Sequence, residues 1–184
     1  KYRLALCMSS LDTFLSSLAD AAVKRASEIP GVELTVMDAQ DDTVKQTDQF
    51  LTFLNDKYDG ILIVVAETSS APPMVEAAAK AGVPVIWTNH NPFFGQPDIP
   101  ANNWVLSSNS ILEGARGMEY AGKLMGGKGN VIILQGTLGH EATYNRTERV
   151  KKVIREEYPD IKTLDEQTGN WFRKTHENAV DIPL

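Results

Sequence analysis

The feature that most constrains the fold is a regular alternation of strand-like and helix-like segments over roughly the first ninety residues. Apolar runs at residues 2–8, 32–37, 58–66 and 83–87 are separated by segments with helical spacing at residues 11–29, 41–55 and 71–81. The run Ile61-Leu62-Ile63-Val64-Val65 is apolar on both faces, which predicts a central strand covered on each side. The connections are too short for anything but right-handed parallel winding, so an α/β protein with a parallel sheet is predicted.

Apolar spacing assigns one face of each predicted helix to the core. The first helix offers Phe14, Leu15, Leu18, Ala22 and Val23, the second Val44, Phe50, Leu51 and Leu54, and a later helix at residues 109–125 offers Ile111, Leu112, Ala115, Met118 and Ala121. The third helix is expected to begin near Pro72-Pro73 and to stop at Gly82, because proline suits a helix start and glycine a helix end.

A loop rich in proline, glycine and asparagine at residues 92–103 interrupts this pattern. After a short strand at residues 104–107 and the helix at 109–125, the winding restarts with a turn at 126–129, a strand at 130–135, a helix at 141–158, a strand at 161–167 and a short helix after Trp171. We predict two doubly wound, Rossmann-like parallel-sheet lobes joined by a hinge, at residues 1–106 and 107–184.

The second predicted lobe has only two or three strands. So small a parallel sheet leaves strand edges and apolar faces open to water, so this lobe is predicted to be incomplete. We expect the chain to be a fragment of a longer polypeptide, or a half-lobe completed by a separate segment or a partner.

Composition favours a protein that binds a small, roughly neutral ligand. The chain has 42% hydrophobic and 23% charged residues with a net charge of −6, which argues against nucleic acid or an anionic membrane as the main partner. No apolar run approaches the ~18 residues that a membrane span needs, so direct membrane insertion is not expected. The chain opens on a strand-like segment, and we expect any signal peptide to be absent from it. Cys7, the one cysteine, lies in an apolar run and is expected to be a buried thiol.

The glycine-rich segments do not predict a nucleotide site. The segment at residues 126–129 precedes a strand and is read as a turn, and the segment at 135–139 lacks both the full glycine fingerprint and the lysine of a phosphate loop. No serine lies in a nucleophile elbow, and His90, His140 and His176 have no metal-ligand spacing. We therefore expect no catalytic residue, no metal and no cofactor.

Six residues are predicted to contact a ligand. Asp12, Asn89 and His90 follow predicted strands and so project at the carboxyl edge of the sheet, although an aspartate N-cap and ordinary turn chemistry are alternatives. The other three are Phe14, Arg146 and Trp171.

Arg146 lies about one turn into the helix that follows the strand at residues 130–135. Its guanidinium can donate two hydrogen bonds to adjacent ligand oxygens, or it can be one of several solvated charges near Glu148 and Arg149. Phe14 and Trp171 can stack on the C–H faces of a sugar, or serve as core and surface cover. Asn145-Arg146-Thr147 also matches a glycosylation sequon, which we discount because matches of three residues are common by chance.

Several segments, in the right order, resemble the periplasmic sugar-binding proteins of ABC transporters of the ribose/galactose type. Leu11-Asp12-Thr13-Phe14 resembles the first binding loop of that family, in which an asparagine or aspartate and an aromatic residue contact the sugar. Residues 81–86 resemble the segment that leads to an acidic-plus-arginine pair, and Ser107-Ser108-Asn109 resembles the first crossing between lobes.

The second half continues the resemblance. Residues 131–136 followed by Asn145-Arg146 resemble the second-lobe loop and its ligand-binding arginine, and Trp171 falls where the family has a second stacking aromatic. The resemblance implies the type I periplasmic binding fold and a non-catalytic protein in the periplasm or otherwise outside the cytoplasm. Such a protein closes two lobes on a monosaccharide or related polyol and docks on a membrane ABC permease.

Two departures and two other hypotheses remain. Asn89-His90 stands where the family has its acidic-arginine pair, so we expect a sugar other than ribose, or a polyol. The family chain also runs on for about another hundred residues. The alternative function is the effector-binding domain of a sugar-responsive LacI-type transcription regulator, which shares this fold, and a third hypothesis is a doubly wound enzyme that uses a nucleotide.

Overall fold

The computed structural model describes residues 1–172 and 174–175. The chain divides into two compact units, Lys1–Ser107 and Ser108–Leu184, which we call the N-terminal unit and the C-terminal unit. Among the described residues, no helix combines the length and the apolar character needed to cross a membrane.

The N-terminal unit confirms the predicted alternation. Its elements are β1 (Tyr2–Met8), α1 (Thr13–Ser27), β2 (Val32–Asp38), α2 (Thr43–Asn55), β3 (Gly60–Ile63), α3 (Ala71–Ala81), β4 (Val85–Thr88) and β5 (Asn103–Leu106), with a 3₁₀ turn at Thr68–Ser70. The five strands form one parallel sheet in the order β2-β1-β3-β4-β5. The apolar strand predicted to be central, β3, lies in the middle of the sheet.

Side chains of β1 alternate between the two faces of this sheet, so each face has its own core. On one face α1 packs against Leu6 and Met8, and on the other α2 and α3 pack against Ala5 and Cys7. Cys7 is fully buried as expected, and burial raises the pKa of its thiol to about 12. The thiol is therefore an inert core group at neutral pH.

The ends of α3 follow the sequence prediction. Its first turn contains Pro72 and Pro73, and Gly82 ends the helix in the left-handed conformation, with φ 68°. The backbone N–H of Gly82 donates to the carbonyls of Ala78 and Ala79, which satisfies the last turn.

The predicted core faces of α1 and α2 are wrong in part. Phe14 and Val23 of α1 are exposed, whereas Leu15 and Ala19 are buried. In α2, Phe50 is buried as expected, but Val44 is 69% exposed. Leu51, which was also predicted to be buried, is exposed. The residues of α2 that face the core instead are Phe53 and a polar residue, Gln46.

The C-terminal unit contains α4 (Ser110–Leu124), β6 (Lys128–Gln135), α5 (Glu141–Glu157) and β7 (Asp160–Thr168). Strands β6 and β7 pair in parallel, with a register shift between Val131 and Ile132. Met118 of α4, Val153 and Ile154 of α5 and Ile161 of β7 form the center of one core cluster. Leu112, which was predicted to be buried, is instead 41% exposed.

Within the described residues this second sheet has two strands, and Leu134 and Leu164 are exposed on it. The glycines Gly126 and Gly127 have positive φ and form the expected turn before β6, which begins two residues earlier than predicted. The helix predicted after Trp171, together with His176, lies largely outside the described residues.

Candidate functional site

In the N-terminal unit, four predicted ligand residues lie at one edge of the sheet. Asp12 and Phe14 follow β1, and Asn89 and His90 follow β4. Because all strands of this sheet are parallel, the carboxyl ends of β1 and β4 lie at the same edge. The sheet order places β3 between those two strands.

Asp12 is the N-cap of α1. Its Oδ1 accepts a hydrogen bond of 2.7 Å from the backbone N–H of Leu15, so the N-cap alternative describes this side chain correctly. Phe14, in the first turn of the same helix, is 64% exposed. The ring of Phe14 is therefore exposed at the edge of the sheet. The alternative interpretation, in which Phe14 belongs to the core, is wrong.

Asn89 and His90 form a tight turn directly after β4. Asn89 adopts the left-handed conformation with φ 67°, which asparagine tolerates better than most residues, and its backbone N–H donates to the carbonyl of Leu106 at 2.9 Å. The side-chain amide of Asn89 lies 3.3 Å from Nε2 of His90. His90 is mostly buried, so its ring presents little surface.

In the C-terminal unit, Arg146 is held by an acidic residue of the neighbouring helix. Both Nε and Nη2 of Arg146 approach the same oxygen, Oε2 of Glu113 on α4, at 2.8 and 2.7 Å. Burial alone would raise the pKa of the Glu113 carboxyl, but hydrogen bonds from Ser108 and Arg146 and the positive charge of Arg146 lower it below its ordinary value. Arg146 is thus paired with a residue of a second helix, although 40% of its side chain remains exposed.

The structure brings Trp171 close to Arg146. The guanidinium carbon of Arg146 lies 5.8 Å from the centroid of the indole ring. The ring of His140 packs edge-on against the indole, with 6.4 Å between the two ring centroids. A Cβ placed on Gly136 would lie 2.0 Å from Cζ2 of Trp171, so the indole lies directly on the backbone of this glycine. Trp171 itself has φ 65°, a conformation that is uncommon for a bulky residue.

A small polar cluster lies at the start of α5. Ser110 donates to Oε1 of Glu141 at 3.1 Å and accepts from Nδ2 of Asn145 at 2.9 Å. Burial raises the pKa of the Glu141 carboxyl, although the Ser110 hydrogen bond and the charge of Arg146 oppose that shift. Asn145 is 5% exposed and engaged in this cluster, which agrees with discounting the glycosylation sequon.

A cavity of about 170 Å³ lies beside the turn between β6 and α5. It is lined by Gln135, Leu138, Gly139, Thr143, Tyr144, Thr147, Glu148 and Lys151. None of the six predicted ligand residues is among them, and its volume is below the ~300 Å³ at which ligand pockets usually begin. We therefore do not assign this cavity as the ligand site, and the six predicted residues remain the candidates.

Several neighbours of Arg146 and Trp171 were missed by sequence reasoning: Glu113, Gly114, Gly136 and His140. Each acts through a contact between elements far apart in the sequence, and spacing along the chain carries no signal for such contacts. Only Gly136 offered a hint, because a glycine directly after a strand indicates close approach of another group.

Comparison with known proteins agrees with the resemblance drawn from sequence. Residues 4–181 match the family described as periplasmic binding protein domain. A xylitol-binding protein from Mycolicibacterium smegmatis is 33% identical over 149 residues, which cover 81% of this chain and 41% of that protein. A putative rhizopine-binding protein from Rhizobium meliloti is 29% identical over 163 residues, which cover 88% of this chain and 52% of that protein.

A solved structure from Bacillus halodurans, an ABC transporter solute-binding protein with bound myo-inositol, has a TM-score of 0.88 and 31% identity, covering 97% of this chain and 60% of that one. The chain thus spans about half the length of the curated relatives it matches. These names favour the solute-binding hypothesis over the transcription-regulator hypothesis. The chain belongs to the periplasmic binding protein family.

Proposed function

We propose that this chain belongs to an extracytoplasmic solute-binding protein that captures a monosaccharide or related polyol and delivers it to a membrane ABC permease. The observation that carries the proposal is the pairing of Arg146 with Glu113 beside the Trp171 ring. A fixed guanidinium next to an aromatic ring supplies hydrogen bonds to hydroxyl oxygens and a stacking surface for C–H groups. Ligands rich in both kinds of group are sugars and polyols.

A polyol is the preferred ligand class. The named ligands of two similar proteins, xylitol and myo-inositol, are both neutral polyols. In the N-terminal unit, the neutral pair Asn89-His90 follows β4, and neutral amide and imidazole groups suit hydroxyls that need no charge-assisted hydrogen bond.

In the proposed mechanism the two predicted lobes, 1–106 and 107–184, close on the ligand without catalysing a reaction. Asp12, Phe14, Asn89 and His90 contribute from the first lobe, and Arg146 and Trp171 contribute from the second. The ligand shifts the population toward the closed form because it contacts both lobes only in that form. The closed form then docks on the permease.

The test is calorimetric titration of the protein expressed from its complete reading frame, since the chain spans only part of its relatives. A panel of pentoses, hexoses, linear polyols and inositols is expected to contain at least one ligand, with polyols the tightest. Absence of binding across the panel would reject the proposal.

Replacement of Arg146 tests its place in the site. Arg146→Ala is expected to weaken binding by roughly 1.5 to 3 kcal/mol, the usual scale for a hydrogen bond to a charged group. Arg155→Ala removes an exposed arginine from the same helix and is the matched control, with affinity expected to stay at the wild-type value. Equal affinities for the two variants would remove Arg146 from the site.

A further inference from the structure

Glu113 binds one edge of the Arg146 guanidinium, and 40% of the Arg146 side chain remains exposed to solvent. The guanidinium has five N–H groups, on Nε, Nη1 and Nη2. The contacts at 2.8 and 2.7 Å to Oε2 of Glu113 engage Nε and Nη2. The edge formed by Nη1 and the second N–H of Nη2 is not used by this pair, and it has the parallel geometry that suits two adjacent hydroxyl oxygens.

The residue after Glu113 fixes the backbone that carries Arg146. A Cβ added to Gly114 would lie 2.5 Å from the carbonyl oxygen of Arg146 and 2.8 Å from its Cα. The two helices therefore touch backbone to backbone at Arg146, at a distance that only glycine permits. By contrast, a Cβ on Gly117, three residues along the same helix, would have no atom of the described residues within 4 Å.

From this geometry we infer that Glu113 and Gly114 are positioning residues for ligand binding: Gly114 sets the place of the Arg146 backbone, and Glu113 sets the direction of its guanidinium. Neither residue needs to touch the ligand. The inference rests on the proposed role of Arg146 in binding. It extends that role, because an arginine side chain that is already ordered loses less conformational freedom when the ligand binds.

The opposite role for Glu113 makes a different prediction. If the carboxylate instead competed with the ligand for Arg146, its removal would free the guanidinium and increase the affinity. A positioning residue must do the reverse, since its removal leaves a long, mobile side chain that the ligand has to order. The sign of the change in affinity therefore separates the two roles.

The experiment measures the affinity of four variants for the ligand found in the panel, using the protein from the complete reading frame. Glu113→Ala is expected to lower affinity about 3- to 10-fold, the scale for ordering one rotamer-rich side chain. Glu113→Gln keeps an acceptor oxygen for the same N–H groups and is expected to lose less. Gly114→Ala is expected to lower affinity as well, whereas Gly117→Ala is the matched control and should not.

A double variant separates positioning from a general structural role. In an Arg146→Ala background, Glu113→Ala is expected to have no further effect on affinity, because the group it orients is gone. An unchanged or increased affinity of the single Glu113→Ala variant overturns the inference, and so does a loss that persists in full without Arg146.

A measurement without ligand keeps the inference independent of the binding assay. In NMR spectra, the Nε–H of Arg146 is expected to exchange slowly with solvent in the wild type and in Glu119→Ala, which removes a carboxylate six residues along α4. Glu113→Ala should accelerate this exchange. If the wild type binds no sugar or polyol, the proposed function fails and the exchange rates alone decide the inference, with equal rates in all three proteins counting against it.

Discussion

The two units hold their predicted ligand residues by different means. In the N-terminal unit, Asp12 and Asn89 are placed by the backbone itself, through a helix N-cap and a left-handed turn at the edge of a five-stranded sheet. In the C-terminal unit, Arg146 and Trp171 are placed by contacts with Glu113 and Gly136, which come from other segments. Substitutions are therefore expected to affect mainly stability in the N-terminal unit and mainly affinity in the C-terminal unit.

The largest effect is expected in the core of the N-terminal unit. Phe50→Ala removes a fully buried ring from α2 and is expected to cost about 3 to 5 kcal/mol in the free energy of unfolding. Chemical denaturation measures this cost, and calorimetry on the remaining folded protein should give the wild-type affinity. Val44→Ala on the same helix truncates an exposed side chain and should cost less than ~0.5 kcal/mol. Similar costs for the two variants would contradict the observed orientation of α2.

Gly136→Ala tests the contact under Trp171. The added methyl group would lie 2.0 Å from the indole, so the ring must move and the stacking surface moves with it. We expect affinity to fall about tenfold, which corresponds to about 1.4 kcal/mol. The midpoint of thermal unfolding should change less than for Phe50→Ala. If the variant loses stability but keeps its affinity, the contact between Gly136 and Trp171 supports the fold and not the site. The two units would then not differ in the way described above.

Asp12 allows stability and affinity to be separated at one position. Asp12→Ala removes the N-cap of α1 and is expected to cost about 1 kcal/mol in the free energy of unfolding. Asp12→Asn keeps a capping oxygen and should retain stability, yet it should weaken ligand binding a few-fold if the carboxylate accepts a ligand hydroxyl. Denaturation and titration of both variants check this. An Asp12→Asn variant with wild-type affinity would leave Asp12 with a capping role alone.

Sequence reasoning recovered the order and type of the elements because each strand and helix carries its own signal. The apolar run of β3 and the Pro72 and Gly82 boundaries of α3 are local features, and both predictions are confirmed. Helix faces were harder to predict. Counting apolar residues favoured Val44, but the structure turns α2 so that Gln46 faces inward and its amide binds the backbone of Val64 and Ala66.

The surroundings of the candidate site were not predictable from one sequence. The pairing of Glu113 with Arg146 joins residues 33 apart, and the contact of Gly136 with Trp171 depends on a turn with two consecutive positive φ angles, at Asn170 and Trp171. Spacing rules describe neighbours within one element, whereas these contacts depend on how elements pack. The six ligand residues themselves remain predictions that the titrations above will test.

The smallest expected effect is on how folding stability depends on pH, and here too the two units differ. Gln46, a buried polar side chain of the N-terminal unit, is neutral, whereas Glu141 in the C-terminal unit is a carboxyl whose pKa is raised above its ordinary value of 4.5, chiefly by burial. Between 4.5 and the raised pKa, the folded state holds more protons at Glu141 than the unfolded state does, so stability should fall as pH rises through this window.

Glu141→Gln removes that titration. We expect the unfolding midpoint of Glu141→Gln to gain on that of the wild type as pH rises above 4.5 and to be slightly higher at pH 7, with a change smaller than that of Asp12→Ala. Glu157→Gln, at the exposed end of the same helix, serves as the control and should leave the wild-type slope in place. If the two variants have the same slope, the pH dependence does not arise from Glu141. If the midpoint of Glu141→Gln instead falls relative to that of the wild type as pH rises, Glu141 ionises more readily in the folded state, and the hydrogen bond from Ser110 and the charge of Arg146 outweigh the cost of burial.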